Sequence, residues 1–267
     1  MIGDQQSATL GLQIAPKQIK VTYGTGCFLM QNTGPQICVK EGLLSTVLLQ
    51  LGEESPAQFG LEAAVESGAA VLNFFKNDLR LIKDFKENDS LLLEKIQNRS
   101  GFFFENAELS NQEHFQGDSS QEIYESKTIL IPSLNSTLFS PFWKSNIQGQ
   151  ILNLNFSTGR TELYASALES FCFRIKQCLD VMDLEETTDI SIDGGVSQNP
   201  YLAHFQANLL QRDLKRVSGV DGTMRGVFLS LCSKIANAAR ISVSASSSFP
   251  RSARIVARSE CAMAVSM

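Results

Sequence analysis

The chain has 267 residues, of which 43% are hydrophobic, and it carries a formal net charge of −5. This length and balance suit a globular protein with its own core, and the acidic charge excludes a global basic field that would recruit nucleic acid or an anionic membrane. The six cysteines and two histidines have no zinc-type spacing, which indicates reduced thiols. The sequence shows no secretory signal and no run of ~18 apolar residues, so we expect a cytoplasmic protein without a membrane span.

The first region, about residues 1–94, is punctuated by glycines. Its pattern predicts short strands at Ile19–Thr22 and Gly26–Met30, joined through Tyr23-Gly24-Thr25. Apolar residues at helical intervals then predict a helix over Leu61–Ile82. The next segment, about 95–127, is rich in Asn, Gln, Glu and Ser. We interpret it as an exposed insertion, with a binding loop as the alternative.

The region from 128 to 217 alternates between strand and helix patterns. In chain order it predicts a strand at Thr128–Pro132, a long helix through Leu163–Met182, a strand at Asp189–Asp193, a turn at Gly194-Gly195 and a helix that opens over Ser197–Pro200. Strand, glycine turn and helix in this order predict an α/β fold. The composition then shifts to serine and arginine, and we expect a disordered tail over 241–267.

Two short runs near the start have residue types suited to phosphoryl transfer. In Gly3-Asp4-Gln5-Gln6, a carboxylate can accept a hydroxyl proton while the amides hydrogen-bond a polyol. By itself, Asp4 is more often a helix cap or a solvated charge. In Thr22-Tyr23-Gly24-Thr25-Gly26, a glycine turn between strands can direct N–H groups at phosphate oxygens. An ordinary tight hairpin is the alternative for that run.

A third run follows the predicted strand at Asp189–Asp193. Glycines in Asp193-Gly194-Gly195 allow a nucleotide to lie against the backbone, and Asn199 lies near the start of the next helix, where it can reach an adenine edge or a ribose. The alternative is a plain strand-to-helix turn with an Asn-Pro start. The chain contains neither a P-loop pattern nor a dinucleotide fingerprint.

Taken in order, these runs resemble the glycerol kinases of the FGGY family of carbohydrate kinases. The resemblance extends over roughly residues 1–230 and includes further segments at Asn32-Thr33-Gly34, Phe59-Gly60-Leu61-Glu62, Leu168-Glu169-Ser170 and Phe205–Leu210. It implies an actin-like ATPase domain of the ribonuclease-H-like type, with a mixed sheet flanked by helices. We expect this domain over residues 1–240, as the C-terminal, nucleotide-binding domain of a kinase.

The resemblance also implies a role for each matching residue. ATP and Mg²⁺ would be required, with Mg²⁺ bridging the phosphates during in-line transfer of the γ-phosphoryl group to a primary hydroxyl of glycerol. By position, Asp4 would be the general base, and Asp4, Gln5 and Phe28 would contact the polyol. Thr25 and Gly26 would contact the phosphates of ATP. The nucleotide cleft would be lined by Gly68 or Ala69 and by Asn73, and the adenosine part would be contacted by Gly195 and Asn199.

The sequence departs from the family pattern in several places. The family's N-terminal domain, with a second phosphate-binding hairpin and most of the glycerol contacts, is not in this sequence. Asn73 stands where glutamine or arginine is common, and the segment Asn135–Trp143 is altered. These differences predict a divergent paralogue and a truncated or alternative isoform.

Three functions therefore stay open for the chain. The first is a glycerol-kinase-like phosphotransferase that acts on glycerol and ATP. The second is an inactive nucleotide- or partner-binding fragment, and the third is a kinase of another sugar such as a pentulose. We expect no nucleic-acid partner, and the sequence leaves homo-oligomerisation open.

Overall fold

The computed structural model describes residues 3–50, 55–100, 113–117, 127–185, 188–217 and 222–232. In chain order the strands are β1 (Ile19–Tyr23), β2 (Cys27–Gly34), β3 (Leu44–Leu49), β4 (Gln58–Val65), β5 (His114–Phe115), β6 (Ile129–Ile131), β7 (Thr137–Leu138), β8 (Lys144–Ser145), β9 (Gln150–Leu152), β10 (Ile190–Asp193) and β11 (Leu214–Arg216). The helices are α1 (Asp4–Gly11), α2 (Ala69–Asn73), α3 (Phe85–Ser100), α4 (Arg160–Met182), α5 (Pro200–Leu210) and α6 (222–232).

Seven of the described strands form one mixed sheet in the order β3-β4-β2-β1-β10-β11-β5. The pairs β1–β10 and β10–β11 are parallel, and all other neighbours in this sheet are antiparallel. The predicted α/β class, with a mixed sheet flanked by helices, is therefore confirmed. The strand pairs β6–β9 and β7–β8 form two small antiparallel sheets outside this one.

The core lies on one face of the sheet, where alternate strand residues are apolar. Val21, Leu29 and Ile192 are fully buried there, and α4 packs across β2 and β4 and against α5. Alternation of this kind places every second side chain on the opposite face. None of the described helices combines the length and apolarity that crossing a bilayer requires.

The opposite face of the sheet is polar, and we call it the site face. Directly paired residues share a face, so Thr22 lies between Phe28 on one side and Asp193 on the other. Lys20 faces the same way, and α1 packs over this face against β2 and β3. The site face therefore presents polar side chains next to α1.

One sequence-based expectation is wrong. The predicted helix over Leu61–Ile82 is instead the end of β4, followed by α2 and a π-helical turn at Phe74–Asp78. The error arose because the four-residue step from Leu61 to Val65 fits a strand as well as a helix, and the buried Ala63 between them shows the period of two.

Two parts of the segment at about 95–127, predicted as an insertion, belong to regular elements among the described residues. The helix α3 continues through Ser100, and β5 pairs with β11 at the edge of the main sheet, where Phe115 is fully buried. The rest of that segment and the predicted tail at 241–267 lie outside the described residues.

Candidate functional site

Two glycine-rich turns interlock at one end of the sheet. The turn after β1 passes through Gly24, Thr25 and Gly26, and its carbonyls accept hydrogen bonds from the first helix turn of α2: Ala69 N donates to Gly24 O at 2.9 Å and Ala70 N donates to Thr25 O at 3.1 Å. A Cβ on Gly68 would lie 2.6 Å from Gly24 O, so only glycine fits there. The backbone of both turns is thus fixed at close range.

The turn after β10 packs against the same place. Gly194 has φ +92°, and a Cβ at this position would overlap the backbone of Tyr23. Glycine alone tolerates both the left-handed conformation and the close approach. Gly195, the next residue, is exposed, and a Cβ there would meet nothing within 4 Å. The structure therefore leaves open backbone at Gly195 beside the turn that contains Thr25.

Most residues predicted to bind ATP lie together in this arrangement. Backbone contacts join the segments that carry Thr25, Gly26, Gly68, Ala69 and Gly195. The turns with Thr25 and Gly195 follow the carboxyl ends of β1 and β10, which are parallel neighbours, and Gly68 and Ala69 follow β4. The carboxyl ends of parallel strands are where α/β proteins most often bind ligands.

Asn73 lies apart from the interlocked turns. It is exposed at the end of α2, just before the π-helical turn. Its role as a wall of the nucleotide cleft stays a prediction.

Asn199 is engaged within the protein. It is 7% exposed, and its Oδ1 accepts a hydrogen bond from Leu202 N at 2.9 Å as the N-cap of α5. Its Nδ2 donates to Asp89 Oδ1 at 2.5 Å, and Tyr164 OH donates to the same oxygen at 2.6 Å. Burial raises the pKa of Asp89, while the two hydrogen bonds to its carboxylate oppose that rise. Asn199 thus fixes the start of α5, and its contact with adenosine stays a prediction.

Arg216 supports the short helical turn at Gly195–Gln198 through hydrogen bonds to its carbonyl groups. Its side chain is 1% exposed, and Nη1 donates to Ser197 O at 3.2 Å and to Gln198 O at 3.4 Å. The guanidinium also lies over the Phe115 ring at 5.0 Å. Sequence reasoning missed this residue, because a lone arginine in a short strand gives no local sign of its partners.

The residues predicted to bind the acceptor lie on and above the site face. Phe28 is on β2, half-buried and directly opposite Thr22. Asp4 is the first residue of α1 and is exposed, and its carboxylate makes no hydrogen bond to the described part of the chain. Gln5 is partly buried, and its Oε1 accepts a hydrogen bond from Lys20 Nζ at 2.5 Å.

Close helix packing fixes α1 over the sheet. Ser7 Oγ donates to Thr223 O at 2.7 Å, and a Cβ on Gly226 would overlap the Ser7 backbone. Likewise, a Cβ on Gly11 would overlap the Gly222 carbonyl. Small residues on α1 and α6 therefore let the two backbones approach closely, and α1, which carries Asp4 and Gln5, also contacts β2 and β3 of the sheet.

Two carboxylates near Lys20 complete the electrostatics of the site face. Burial lowers the pKa of Lys20 to about 8, although the charges of Asp193 and Glu62 act to raise it. Asp193 Oδ1 is buried and has no hydrogen-bond partner within the described chain. Among the described residues no group of three or more His, Cys, Asp or Glu could hold a metal ion.

A sequence model of the C-terminal domain of the FGGY family of carbohydrate kinases matches residues 19–233. The chain belongs to this family. It is 30% identical over 215 residues to a probable glycerol kinase of Dictyostelium discoideum, a match that covers 79% of this chain and 35% of that protein. The chain spans about two fifths or less of the curated relatives it matches.

Solved structures of FGGY kinases share the fold. The structure of Plasmodium falciparum glycerol kinase with ADP aligns with a TM-score of 0.65 and 24% identity over 86% of this chain and 42% of that one. Ligand-bound xylulose kinase from Lactobacillus acidophilus aligns with a TM-score of 0.62 and 14% identity over 86% of this chain and 41% of that one. The fold is thus the actin-like ATPase fold that the sequence predicted for this FGGY domain.

Proposed function

We propose that this chain is the ATP-binding half of a glycerol-kinase-like phosphotransferase. The reaction transfers the γ-phosphoryl group of ATP to a primary hydroxyl of glycerol and yields glycerol 3-phosphate. The observation that carries the proposal is the meeting of three glycine turns, at Gly24–Gly26, Gly68 and Gly194-Gly195, at one end of the sheet. Backbone N–H groups in such turns bind phosphate without a lysine.

In this proposal, the interlocked turns bind the nucleotide. Thr25 is exposed at the tip of its turn and supplies a hydroxyl to the phosphates together with the backbone of Gly26. The adenosine part lies against the exposed backbone of Gly195, where glycine has no side chain to fill that space. Ala69 lines the cleft between these turns, and Asn73, at the exposed end of α2, forms the part of the wall that lies farther from them.

The acceptor lies between α1 and the site face. Asp4 is the general base that removes the proton of the attacking hydroxyl, and Gln5 hydrogen-bonds the polyol. Phe28 packs against the carbon skeleton of glycerol. Glycerol is favoured over a pentulose because the curated relatives at about 30% identity are named glycerol kinases, whereas the xylulose kinase structure is 14% identical.

Mg²⁺ fits this site only together with the nucleotide. The described residues offer no cluster of three metal-binding side chains, and Mg²⁺ in kinases is typically held by substrate phosphates plus one or two carboxylates. Asp193, with its buried unpartnered Oδ1 on the site face, is the carboxylate best placed to serve it. When bound, the ion would neutralise charge that develops on the phosphates.

Calorimetry with Mg-ATP tests the nucleotide half of the proposal. We expect the chain to bind Mg-ATP weakly, and Gly195→Val to lower the affinity at least about tenfold, or ~1.4 kcal/mol. Gly159→Val is the matched control, because Gly159 is also exposed with nothing within 4 Å of a Cβ but lies at the start of α4. Equal heats for wild type and Gly195→Val would show that the adenosine assignment is wrong.

A second candidate is a nucleotide-binding fragment without kinase activity. It is favoured for this chain because the exposed carboxylate of Asp4 has no hydrogen-bond partner among the described residues, and a base that nothing orients catalyses poorly. We therefore expect no appreciable glycerol-dependent ADP formation by the 267-residue chain in a coupled assay. Turnover that requires glycerol and disappears in Asp4→Asn would show instead that this chain is a complete enzyme.

A further inference from the structure

Lys20 is a fully buried lysine on the site face, and the proposed reaction assigns it no role. It lies on β1, two residues before Thr22, which opens the turn proposed to bind phosphate. Its Nζ donates to Gln5 Oε1 at 2.5 Å and to Thr22 Oγ1 at 2.8 Å. A single ammonium group thus joins the helix of the acceptor site to the strand that leads into the nucleotide turn.

The chemistry of lysine determines which end of the Gln5 amide faces it. An ammonium group has three donors and no acceptor, so it can contact only the carbonyl oxygen of a glutamine side chain. The amide plane is rigid, and Nε2 must therefore point away from Lys20. Within the described chain Gln5 Nε2 makes no hydrogen bond, so its two N–H donors are available to a ligand.

The surroundings of Lys20 support a charged side chain at a buried position. Glu62 is on β4 and Asp193 is on β10, so the two carboxylates lie on opposite sides of β1 but on the same face of the sheet as Lys20. Thr22 and Gln5 supply neutral oxygen acceptors from β1 and α1. Buried lysines are rare unless paired, because removing the charge from water is costly. This cost suggests that the position serves the site rather than the core.

We propose that Lys20 is a positioning residue of the acceptor site, which holds the Gln5 amide with its Nε2 donors directed at a hydroxyl oxygen of the polyol. The proposal rests on the proposed function, in which Gln5 binds the acceptor. Lys20 touches neither substrate in this arrangement and acts through Gln5. It also keeps α1 in register with β1, so that the acceptor and the phosphate turn stay at a fixed separation.

Nuclear magnetic resonance of the isotopically labelled 267-residue chain tests this role through the Gln5 side-chain amide signals. In wild type these signals move with pH, with a midpoint near the Lys20 pKa of about 8, and they shift when glycerol is added. In Lys20→Met the pH response disappears, and the glycerol affinity read from Gln5 falls at least about tenfold. Lys20→Arg retains a donor-only side chain and recovers much of the glycerol response.

Two results would overturn the proposal. One is Gln5 signals that are the same in wild type and Lys20→Met, which would show that the lysine does not orient the amide. The other concerns the shift of the Gln5 signals when glycerol is added: the proposal is wrong if wild type shows no shift, or if Lys20→Met shows the same shift as wild type. Failure of the proposed function would be seen in a different experiment, as an absence of Mg-ATP binding by wild type in calorimetry.

Gln5→Glu provides a second route if Lys20→Met does not fold. The carboxylate still accepts from Lys20, and the added negative charge raises the Lys20 pKa, which the Lys20 side-chain carbon signals report. A glutamate at this position has no N–H donor, so we expect the glycerol-induced shifts on the site face to disappear. An unchanged Lys20 midpoint in this variant would contradict the contact between the two side chains.

Discussion

The two ends of the candidate site are built in different ways. At the proposed nucleotide end, backbone contacts backbone: Gly68 approaches Gly24, and Gly194 approaches Tyr23. At the proposed acceptor end, side chains make the contacts, with Gln5 held by Lys20 and Asp4 exposed without a partner in the described chain. Backbone contacts of this kind hold the first end in one geometry, whereas the second end depends on a few polar groups.

This difference shows what each end needs from the rest of a kinase. The turns of the proposed nucleotide end contact one another within the described residues. The proposed acceptor end offers one carboxylate, one amide and one aromatic ring, which is a small part of what a polyol site requires. We therefore expect substitutions to affect stability most at the nucleotide end and least at Asp4.

The largest effect is expected at Gly194. Gly194→Ala forces a side chain into the Tyr23 backbone at φ +92°. Strain and overlap together should lower the free energy of unfolding by about 3 kcal/mol or more, which is roughly 6–12 °C in Tm. Gly195→Ala is the matched control and should change it by less than about 1 kcal/mol, because its Cβ meets nothing. Equal Tm values for the two variants would show that the turn is not locked by backbone contact.

The next effect concerns His204 on α5, beside Arg216. Burial and the Arg216 charge lower the pKa of His204 to about 4 from its usual 6.5. The unfolded chain therefore takes up a proton first as the pH falls from 6.5 to 4, and this shifts the equilibrium toward unfolding.

We expect His204 to contribute a loss of about 2 kcal/mol across that pH range, after allowance for partial solvent exposure. Chemical denaturation at several pH values checks this, with His204→Gln as the reference that lacks the titration. Parallel stability curves for the two chains would contradict the assignment.

A smaller effect is expected at Asn199. Asn199→Ala removes the cap of α5 and leaves Asp89 with one hydrogen bond fewer, for a loss of about 2 kcal/mol in unfolding free energy. Asn199→Ser keeps a capping oxygen but cannot reach Asp89, so it separates the two contributions and should cost about 1 kcal/mol less. If serine and alanine destabilise equally, the cap contributes nothing measurable.

The smallest effect is expected at Asp4. Asp4→Asn should change the free energy of unfolding by less than about 0.5 kcal/mol, because the exposed carboxylate has no partner within the described chain. Thermal unfolding of the two proteins is the measurement. A destabilisation comparable to that of Gly194→Ala would erase the contrast between the two ends of the site.

The sequence predicted the glycine turns better than the residues that contact and support the site. Glycine turns after short strands are local patterns, so the turns that contain Thr25 and Gly195 were predicted from neighbouring residues, whereas the ATP contacts of these two residues came from the family resemblance and stay a prediction. Asp89 and Tyr164 were missed because they contact Asn199 from positions 110 and 35 residues away. Lys20 was missed because a lysine that alternates with apolar residues on a strand is typical of a solvent-facing side chain, and only the packing of α1 buries it.

The segment after β3, which forms β4, shows that the spacing of apolar residues alone does not distinguish a strand from a helix. Leu61 and Val65 fit both a helix and a strand, and the pairing of β4 between β2 and β3 decides for the strand. This choice depends on residues up to 38 positions away, as the pair Cys27 and Val65 shows. A single sequence contains no local signal for such a pairing.

Hydrogen–deuterium exchange with and without Mg-ATP tests whether the glycine turns bind the nucleotide. We expect slower amide exchange over residues 22–28, 66–71 and 193–199 when Mg-ATP is present, with no change over 137–152 in the two small sheets. Gly195→Val should abolish the protection without altering exchange in the free chain. Protection that is absent, or that falls outside these three turns, would contradict the assignment of this end of the sheet as a nucleotide site.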